Sequence, residues 1–281
     1  MRRRGNKMDR KLFGALLFGA VALIVLLITV VIVDKKNKPG QVPEDVVEDE
    51  VDSWTEKVTN WLWMVDEEHA LPISFEPDNL EEMENTGIRL QTEALKAFTQ
   101  MTSVMDTPVF AANGYISASA QQNLYESKFQ EFLDEGYTQE RAAMAIKEYY
   151  SPGGQDEHQL GLTVDVCADS ERKLDYEFRS TDQGRWLSEH AWEYGFVFRS
   201  ESKPWQIRYV GDVHAQIMHE QGLSLEEYLS YLQEKGTLYV SVGQANLDLV
   251  IYYTDTLDKI PFAIKEVSGD NNGHYIVTCY R

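Results

Sequence analysis

The chain has 281 residues, of which 43% are hydrophobic and 26% charged, and its formal net charge at pH 7 is −20. This length allows one large domain or two smaller ones. The strong acidity argues against nucleic-acid binding, because the phosphates would be repelled; otherwise it indicates only a surface kept dispersed by its own charge.

An uncharged stretch of 22 residues from Leu12 to Val33 is the first clear element. As a helix it would reach roughly 33 Å, and the hydrocarbon core of a bilayer is about 30 Å thick. Six basic residues precede it and only three lysines follow closely, so the positive-inside rule places the N-terminus in the cytoplasm. A cleaved signal peptide is the alternative, but its apolar region is normally about 7–15 residues long. We therefore expect a cytoplasmic tail at 1–11, an uncleaved transmembrane anchor at 12–33 and a main domain outside the cytoplasm.

Charge divides the chain sharply. Residues 1–38 carry a net charge of +7, which leaves −27 for residues 39–281. The stretch 34–59 contains an acidic run and too few apolar residues for a core, so we expect an acidic stalk there. A first folded domain is expected over 60–235.

Helical periodicity dominates the first half of this domain. A stripe of apolar residues predicts a helix over 88–105, and the stripe consists of Leu90, Leu95, Phe98, Met101 and Met105. A second helix is expected to begin near Ser119 and to bury four apolar side chains, those of Leu124, Phe129, Phe132 and Leu133. Thr138 is expected to open a third helix.

Alternation of apolar and polar residues follows, which is typical of half-buried strands. The strand predicted over 162–167 points Asp165 away from its apolar side. A short helix leads to a strand over 196–198. The next strand, over 205–209, places Gln206 on its polar face.

The last part of the chain is predicted to be rich in strands. Ser224 and Glu227 resemble a capping box, which predicts a short helix ending near residue 234. From Gly236 the pattern predicts four strands, over 238–242, 247–253, 260–264 and 275–279. A turn-forming run at 269–273 separates the last two. Residues 236–281 are therefore expected to be a β-rich appendage, either added to the main domain or folded as a small separate module.

Cys167 and Cys279 are the two cysteines of the chain, and both fall in strand-like segments. In an exported domain they could form one disulfide. Buried free thiols are an equal alternative. No paired Cys/His spacing supports a zinc role for Cys167.

The most informative residues lie in two segments, Asp156–Asp165 (DEHQLGLTVD) and Lys203–Tyr209 (KPWQIRY). The first resembles the pattern S-x-H-x-x-G-x-A-x-D and the second contains a counterpart of E-x-W-H. With other matches between residues 66 and 234, about 60% of the chain, they resemble the VanY-type D-alanyl-D-alanine carboxypeptidases, zinc enzymes that trim bacterial cell-wall stem peptides. The resemblance implies an α+β fold, with an antiparallel sheet flanked by helices, shared with lysostaphin-like peptidases and the hedgehog signalling domain.

This resemblance also shows what the chain lacks. Zinc hydrolysis needs three protein ligands, an open position for water and a carboxylate as general base. His158 and Asp165 match the first two ligands, whereas Gln206 stands at the position of the third, a His, and Lys203 at that of the catalytic Glu. An amide is a poorer zinc ligand than an imidazole. An ammonium group cannot act as the base at its ordinary pKa, and it repels a neighbouring metal ion.

The substrate-binding segment is altered as well. Asn113–Ser117 (NGYIS) resembles the family's S-G-Y-R-S, so Ile116 replaces the Arg that grips the terminal carboxylate of the substrate. Ser117 and Gln121 keep their family positions, and the resemblance implies that they contact substrate.

Together these losses predict a membrane-anchored, extracytoplasmic bacterial relative of the carboxypeptidases that is catalytically inactive. Such a protein would bind zinc weakly or not at all and would bind a cell-wall stem peptide or an envelope protein. The alternative is an active zinc-dependent carboxypeptidase acting in peptidoglycan metabolism, in which Gln206 ligates the metal and Glu201 or Asp156 serves as base. A third possibility is a structural role in an envelope complex.

Overall fold

The computed structural model describes residues 54–242 and 247–281. The predicted cytoplasmic tail, the anchor at 12–33 and most of the stalk lie outside these residues. Within the described part, no helix is long and apolar enough to cross a membrane.

Helices and strands alternate irregularly along the chain, as expected for an α+β fold. In chain order they are β1 (Leu80–Glu82), β2 (Arg89–Gln91), α1 (Thr92–Ser103), β3 (Phe110–Asn113), α2 (Ala118–Asp134), α3 (Gln139–Tyr149), β4 (Thr163–Cys167), α4 (Asp182–His190), β5 (Phe196–Phe198), β6 (Gln206–Tyr209), α5 (Asp212–Gln221), α6 (Leu225–Lys235), β7 (Thr237–Val242), β8 (Leu247–Thr254), β9 (Ile264–Gly269) and β10 (Tyr275–Tyr280).

A four-stranded sheet with the order β3-β4-β6-β5 lies at the centre of the fold, and all its neighbouring strands are antiparallel. The predicted α+β fold with an antiparallel sheet is thus confirmed. Every residue of β4 is buried, so the prediction of a half-buried strand was wrong. The reason is that β4 is an inner strand whose polar face is covered by the segment that carries His158.

The helices begin at recognisable caps, although two expectations about them fail. Thr138 and Ser224 cap α3 and α6 as predicted, and α6 has the full capping box. Helix α1 starts at Thr92 rather than at 88, because the preceding residues pair as β2 with β1. The predicted burial along α2 is also wrong: Leu124 is 38% exposed, since α2 packs mainly against α3 at the edge of the molecule.

The C-terminal strands form a second antiparallel sheet, with the order β7-β8-β10-β9. The predicted turn at 269–273 is confirmed and joins β9 to β10. The strand predicted over 260–264 is wrong, because β9 begins only at Ile264. Pro261 falls in the preceding loop, and a proline lacks the N–H group that a strand ladder needs.

This second sheet shares its core with the preceding helices. One face packs on α5 and α6 through apolar side chains that include Leu238, Ile251 and Ile276. The N-terminal segment 54–65 joins the same packing: Leu62 lies in that core, and Thr59 bridges to Ser268 on β9. Removing residues 236–281 would therefore expose apolar surface on α5 and α6.

Candidate functional site

Three polar side chains meet on one face of the central sheet. Asp165 on β4 and Gln206 on β6 are direct partners in the antiparallel pair, so their side chains project to the same face. His158 comes from the 3-10 turn Glu157–Leu160, just before β4. All three residues are at most 5% exposed. The structure therefore brings together the residues that the sequence analysis placed at the former metal site.

Two local features hold the turn that carries His158. Asp156 caps it, since its Oδ1 accepts a hydrogen bond from the backbone N–H of His158 at 3.0 Å. Gly161 ends it with a φ of 68°, and a Cβ atom there would lie 2.6 Å from Cδ2 of Leu80. The positive φ favours a glycine here, and a larger residue would also have to displace the end of the Leu80 side chain.

The side chains of the site contact one another directly. Nε2 of His158 lies 3.2 Å from Oδ2 of Asp165 and 3.3 Å from Nε2 of Gln206. The Gln206 amide nitrogen is also 3.4 Å from Oδ1 of Asp165, and Asn113 donates to Oδ2 of Asp165 at 2.9 Å. The carbonyl oxygen of Gly114 accepts from Nδ1 of His158 at 2.7 Å. Nδ1 therefore carries a proton, and Nε2 faces the carboxylate.

Charge in this group favours a protonated imidazole. Burial lowers the pKa of His158, but Asp165 outweighs burial and raises the pKa to about 9. Burial likewise raises the pKa of Asp165, but His158 outweighs it and holds the pKa of that carboxyl below its ordinary value. Lys203 lowers both pKa values to a smaller extent. A protonated imidazole donates from Nε2 to Oδ2 of Asp165, 3.2 Å away.

The spacing of these atoms fits a metal ion, whereas their chemistry does not fit a catalytic zinc. Zinc–ligand bonds of about 2.0–2.1 Å place tetrahedral ligands about 3.3 Å apart, close to the separations above. However, Gln206 turns its NH₂ group, a donor, towards Oδ1 of Asp165, and an NH₂ group cannot ligate a cation. In residues 54–242 and 247–281 no group of three or more His, Cys, Asp or Glu side chains could hold a metal ion. The site thus offers two strong metal ligands, one imidazole and one carboxylate, whereas a catalytic zinc site uses three protein ligands.

A polar cleft of about 270 Å³ opens beside the three side chains. Its walls are formed by Val65, Ser151, Gln155, Asp156, Glu157, Arg199, Ser200, Ser202, Lys203, Gln206 and Glu226. Lys203 lies on the same cleft as Gln206. Asp156 is also on this wall, whereas Glu201 is exposed and pairs with Arg179 at 2.5 Å.

The sequence analysis missed a charge network in the wall of the cleft. Nε of Arg199 donates to Oε1 of Glu157 at 2.6 Å, and Nη2 of Arg199 lies 2.6 Å from Oε1 of Glu226. Arg208 is fully buried, with its Nη1 3.6 Å from Oε2 of Glu157. Burial lowers the pKa of Arg208 to about 10, although Glu157 opposes this. The available signal was Arg208 itself, an ion within a strand of otherwise core-forming residues.

Ser117 and Gln121 have structural partners of their own. The hydroxyl of Ser117 caps α2 by accepting from the N–H of Ala120. Gln121 is 4% exposed, and its amide donates to the carbonyl oxygen of Ser151 at 2.7 Å. A substrate-binding role for Ser117 and Gln121 stays a prediction.

The two cysteines and two histidines elsewhere in the fold have contacts of their own. Cys167 and Cys279 are both free, buried thiols, which agrees with the second of the two alternatives. His214 packs between Tyr228 and the C-terminal sheet. His219 stacks on Trp192.

Comparison with known proteins identifies the relatives of the chain. Residues 87–212 match the VanY family, described as D-alanyl-D-alanine carboxypeptidase. A D-alanyl-D-alanine carboxypeptidase of Enterococcus faecium is 36% identical over 47% of this chain and 46% of its own length. A second such enzyme, of Enterococcus faecalis, is 30% identical over 60% of this chain and 65% of its own length. The chain thus spans about half to two thirds of these relatives.

Solved structures give the same result. A mutant of the vancomycin resistance D,D-pentapeptidase VanY in complex with Zn(II) matches with a TM-score of 0.52 and 30% identity, over 60% of this chain and 98% of that one. Over that part, this chain therefore shares the fold of a VanY peptidase solved with Zn(II).

Proposed function

We propose, from the premise that the chain belongs to the VanY family of D-alanyl-D-alanine carboxypeptidases, that it is a non-catalytic member which binds a peptidoglycan stem peptide or an envelope protein. One observation carries the proposal. Gln206 offers an amide N–H to Asp165 at the position where a third metal ligand would be needed. Lys203, an ammonium, lines the same cleft.

The residues around Gln206 and Lys203 keep the site ordered and open, which favours a binding function. His158 keeps a fixed orientation through Gly114, and Asp165 keeps a donor in Asn113. The cleft remains open beside them. A site that keeps its shape without its catalytic groups can still recognise a ligand.

Turnover of a stem-peptide mimic tests the proposal. The purified full-length chain is incubated with zinc and with a peptide ending in D-Ala-D-Ala, and release of D-alanine is followed. We expect no release above the rate of the His158→Ala variant, while calorimetry detects binding of the peptide. Zinc-dependent release that His158→Ala abolishes would show an active enzyme instead.

The active alternative has one observation in its favour, namely the spacing of 3.2–3.4 Å among the three site atoms. If Gln206 turned its amide oxygen inwards, the set could hold a metal ion weakly. Asp156, on the cleft wall, is then the nearest candidate for a base. Turnover in the preceding assay distinguishes the two functions.

The location of the protein is part of the same proposal. The stretch Leu12–Val33 would anchor the chain in the bacterial cell membrane, with the N-terminus in the cytoplasm and the peptidase-like domain outside. Protease added to intact spheroplasts is expected to degrade the C-terminal domain. Protection of that domain until the cells are lysed would refute this orientation.

A further inference from the structure

The cleft beside the three site residues contains a cation without a partner. The ammonium of Lys203 has no hydrogen bond and no ion pair within residues 54–242 and 247–281, although its side chain is half-buried in the wall. The other cation lining this cleft is already engaged, since Arg199 contacts both Glu157 and Glu226 at 2.6 Å. An ammonium group has three donors, and its hydrogen bonds to an anion are among the stronger ones in proteins.

We propose that Lys203 binds the free terminal carboxylate of a short peptide in this cleft. The inference rests on the proposed function and goes further, because it assigns the binding of the carboxylate to Lys203, on the cleft wall beside Gln206. Lys203 would then be the ligand-binding residue of a cleft in which the other cationic side chain, Arg199, already pairs with carboxylates of the protein.

The size of the cleft favours the end of a peptide. Its volume is about 270 Å³, whereas pockets for small molecules range from about 300 to 1,000 Å³. One or two small residues with a free end fit such a space better than a long segment. Gln155 and Ser202 also line it and offer polar groups to the backbone of a bound peptide.

The charges around Lys203 favour an anion with a single charge. Glu157 and Glu226 are balanced by Arg199 and Arg208. Asp156 lies on the same wall and repels a second negative charge on the ligand. A carboxylate meets this condition, and a dianionic phosphate meets it less well.

The experiment compares two forms of one peptide by calorimetry on the purified full-length chain. The probes are N-acetyl-D-Ala-D-Ala and the same peptide with a C-terminal amide. The wild type is expected to bind the acid roughly tenfold or more tightly than the amide, as a hydrogen bond between charged groups implies. Lys203→Gln is expected to bind both forms equally, whereas Lys203→Arg keeps a preference for the acid.

The matched control is Lys96→Gln, which removes an exposed lysine paired with Glu93 on α1 and is expected to bind as the wild type does. Because the Lys203 ammonium makes no hydrogen bond or ion pair with the described residues, Lys203→Gln should also keep the thermal unfolding temperature of the wild type. Equal affinity of the wild type for acid and amide, or a preference that survives in Lys203→Gln, would refute the role of Lys203 and leave the proposed function standing. Absence of binding by either peptide would refute the role of Lys203 and the stem-peptide form of the proposed function, and would leave an envelope protein as the ligand.

Discussion

Glu157 is the carboxylate that contacts both Arg199 and Arg208 in the wall of the cleft. The substitution Glu157→Gln removes its charge while keeping its shape. Within the described residues Arg208 is fully buried and has Glu157 as its carboxylate partner at 3.6 Å. Removing one partner of a buried ion pair typically costs about 3–5 kcal/mol. The glutamine keeps an acceptor oxygen for Arg199, and the contact with Arg208 is long. We therefore expect the free energy of unfolding to fall by about 2–3 kcal/mol.

Guanidinium denaturation followed by tryptophan fluorescence measures this loss, and Glu226→Gln is its matched control. Glu226 contacts the same Arg199 at the same 2.6 Å, but its side chain is 49% exposed. Exposed ion pairs contribute at most about 1 kcal/mol. If both variants lost the same free energy, or if Glu157→Gln lost less than about 1 kcal/mol, the buried network would not stabilise the fold as we reason.

Two further predictions concern the C-terminal half. Burial raises the pKa of Glu266, but His214 and Lys265 outweigh burial and lower the pKa to about 2 from an ordinary 4.5. The ionised Glu266 therefore stabilises the folded state fully above about pH 4.5, and this stabilisation is lost as the pH falls towards 2. Glu266→Gln should therefore lower the unfolding temperature at pH 7 and differ progressively less from the wild type below pH 4.5; a difference independent of pH would contradict this. Cys167 and Cys279 are free and buried, and burial raises the pKa of both thiols. A thiol reagent should therefore label them only after denaturation. Rapid labelling of the native chain would show that the thiols are accessible and would contradict this prediction.

The sequence predicted the fold where local patterns were strong. The alternation in β4 and β6, the turn at 269–273 and the capping box of α6 all have local causes. It failed where tertiary contacts decide. Residues 89–91 continue a helical stripe but pair as a strand with β1, and the apolar side chains of α2 remain partly exposed because that helix packs mainly against α3.

The site was predictable only as far as the two motifs extend. His158, Asp165 and Gln206 could be placed together because the family pattern orders them. The contacts of Arg199 with Glu157 and Glu226 join residues far apart in sequence, and no local pattern indicates such pairs. The unpaired state of Lys203 was also invisible in the sequence, since it depends on the ion pairs that its neighbours make.

The zinc content of the purified full-length chain tests most directly the claim that Gln206 and Lys203 abolish the metal site. The wild type and the double variant Lys203→Glu/Gln206→His are loaded with zinc, dialysed and analysed by mass spectrometry. We expect far less than one zinc per wild-type chain and about one in the double variant, which restores three ligands at a suitable spacing. About one tightly held zinc in the wild type, lost in His158→Ala, would contradict the account.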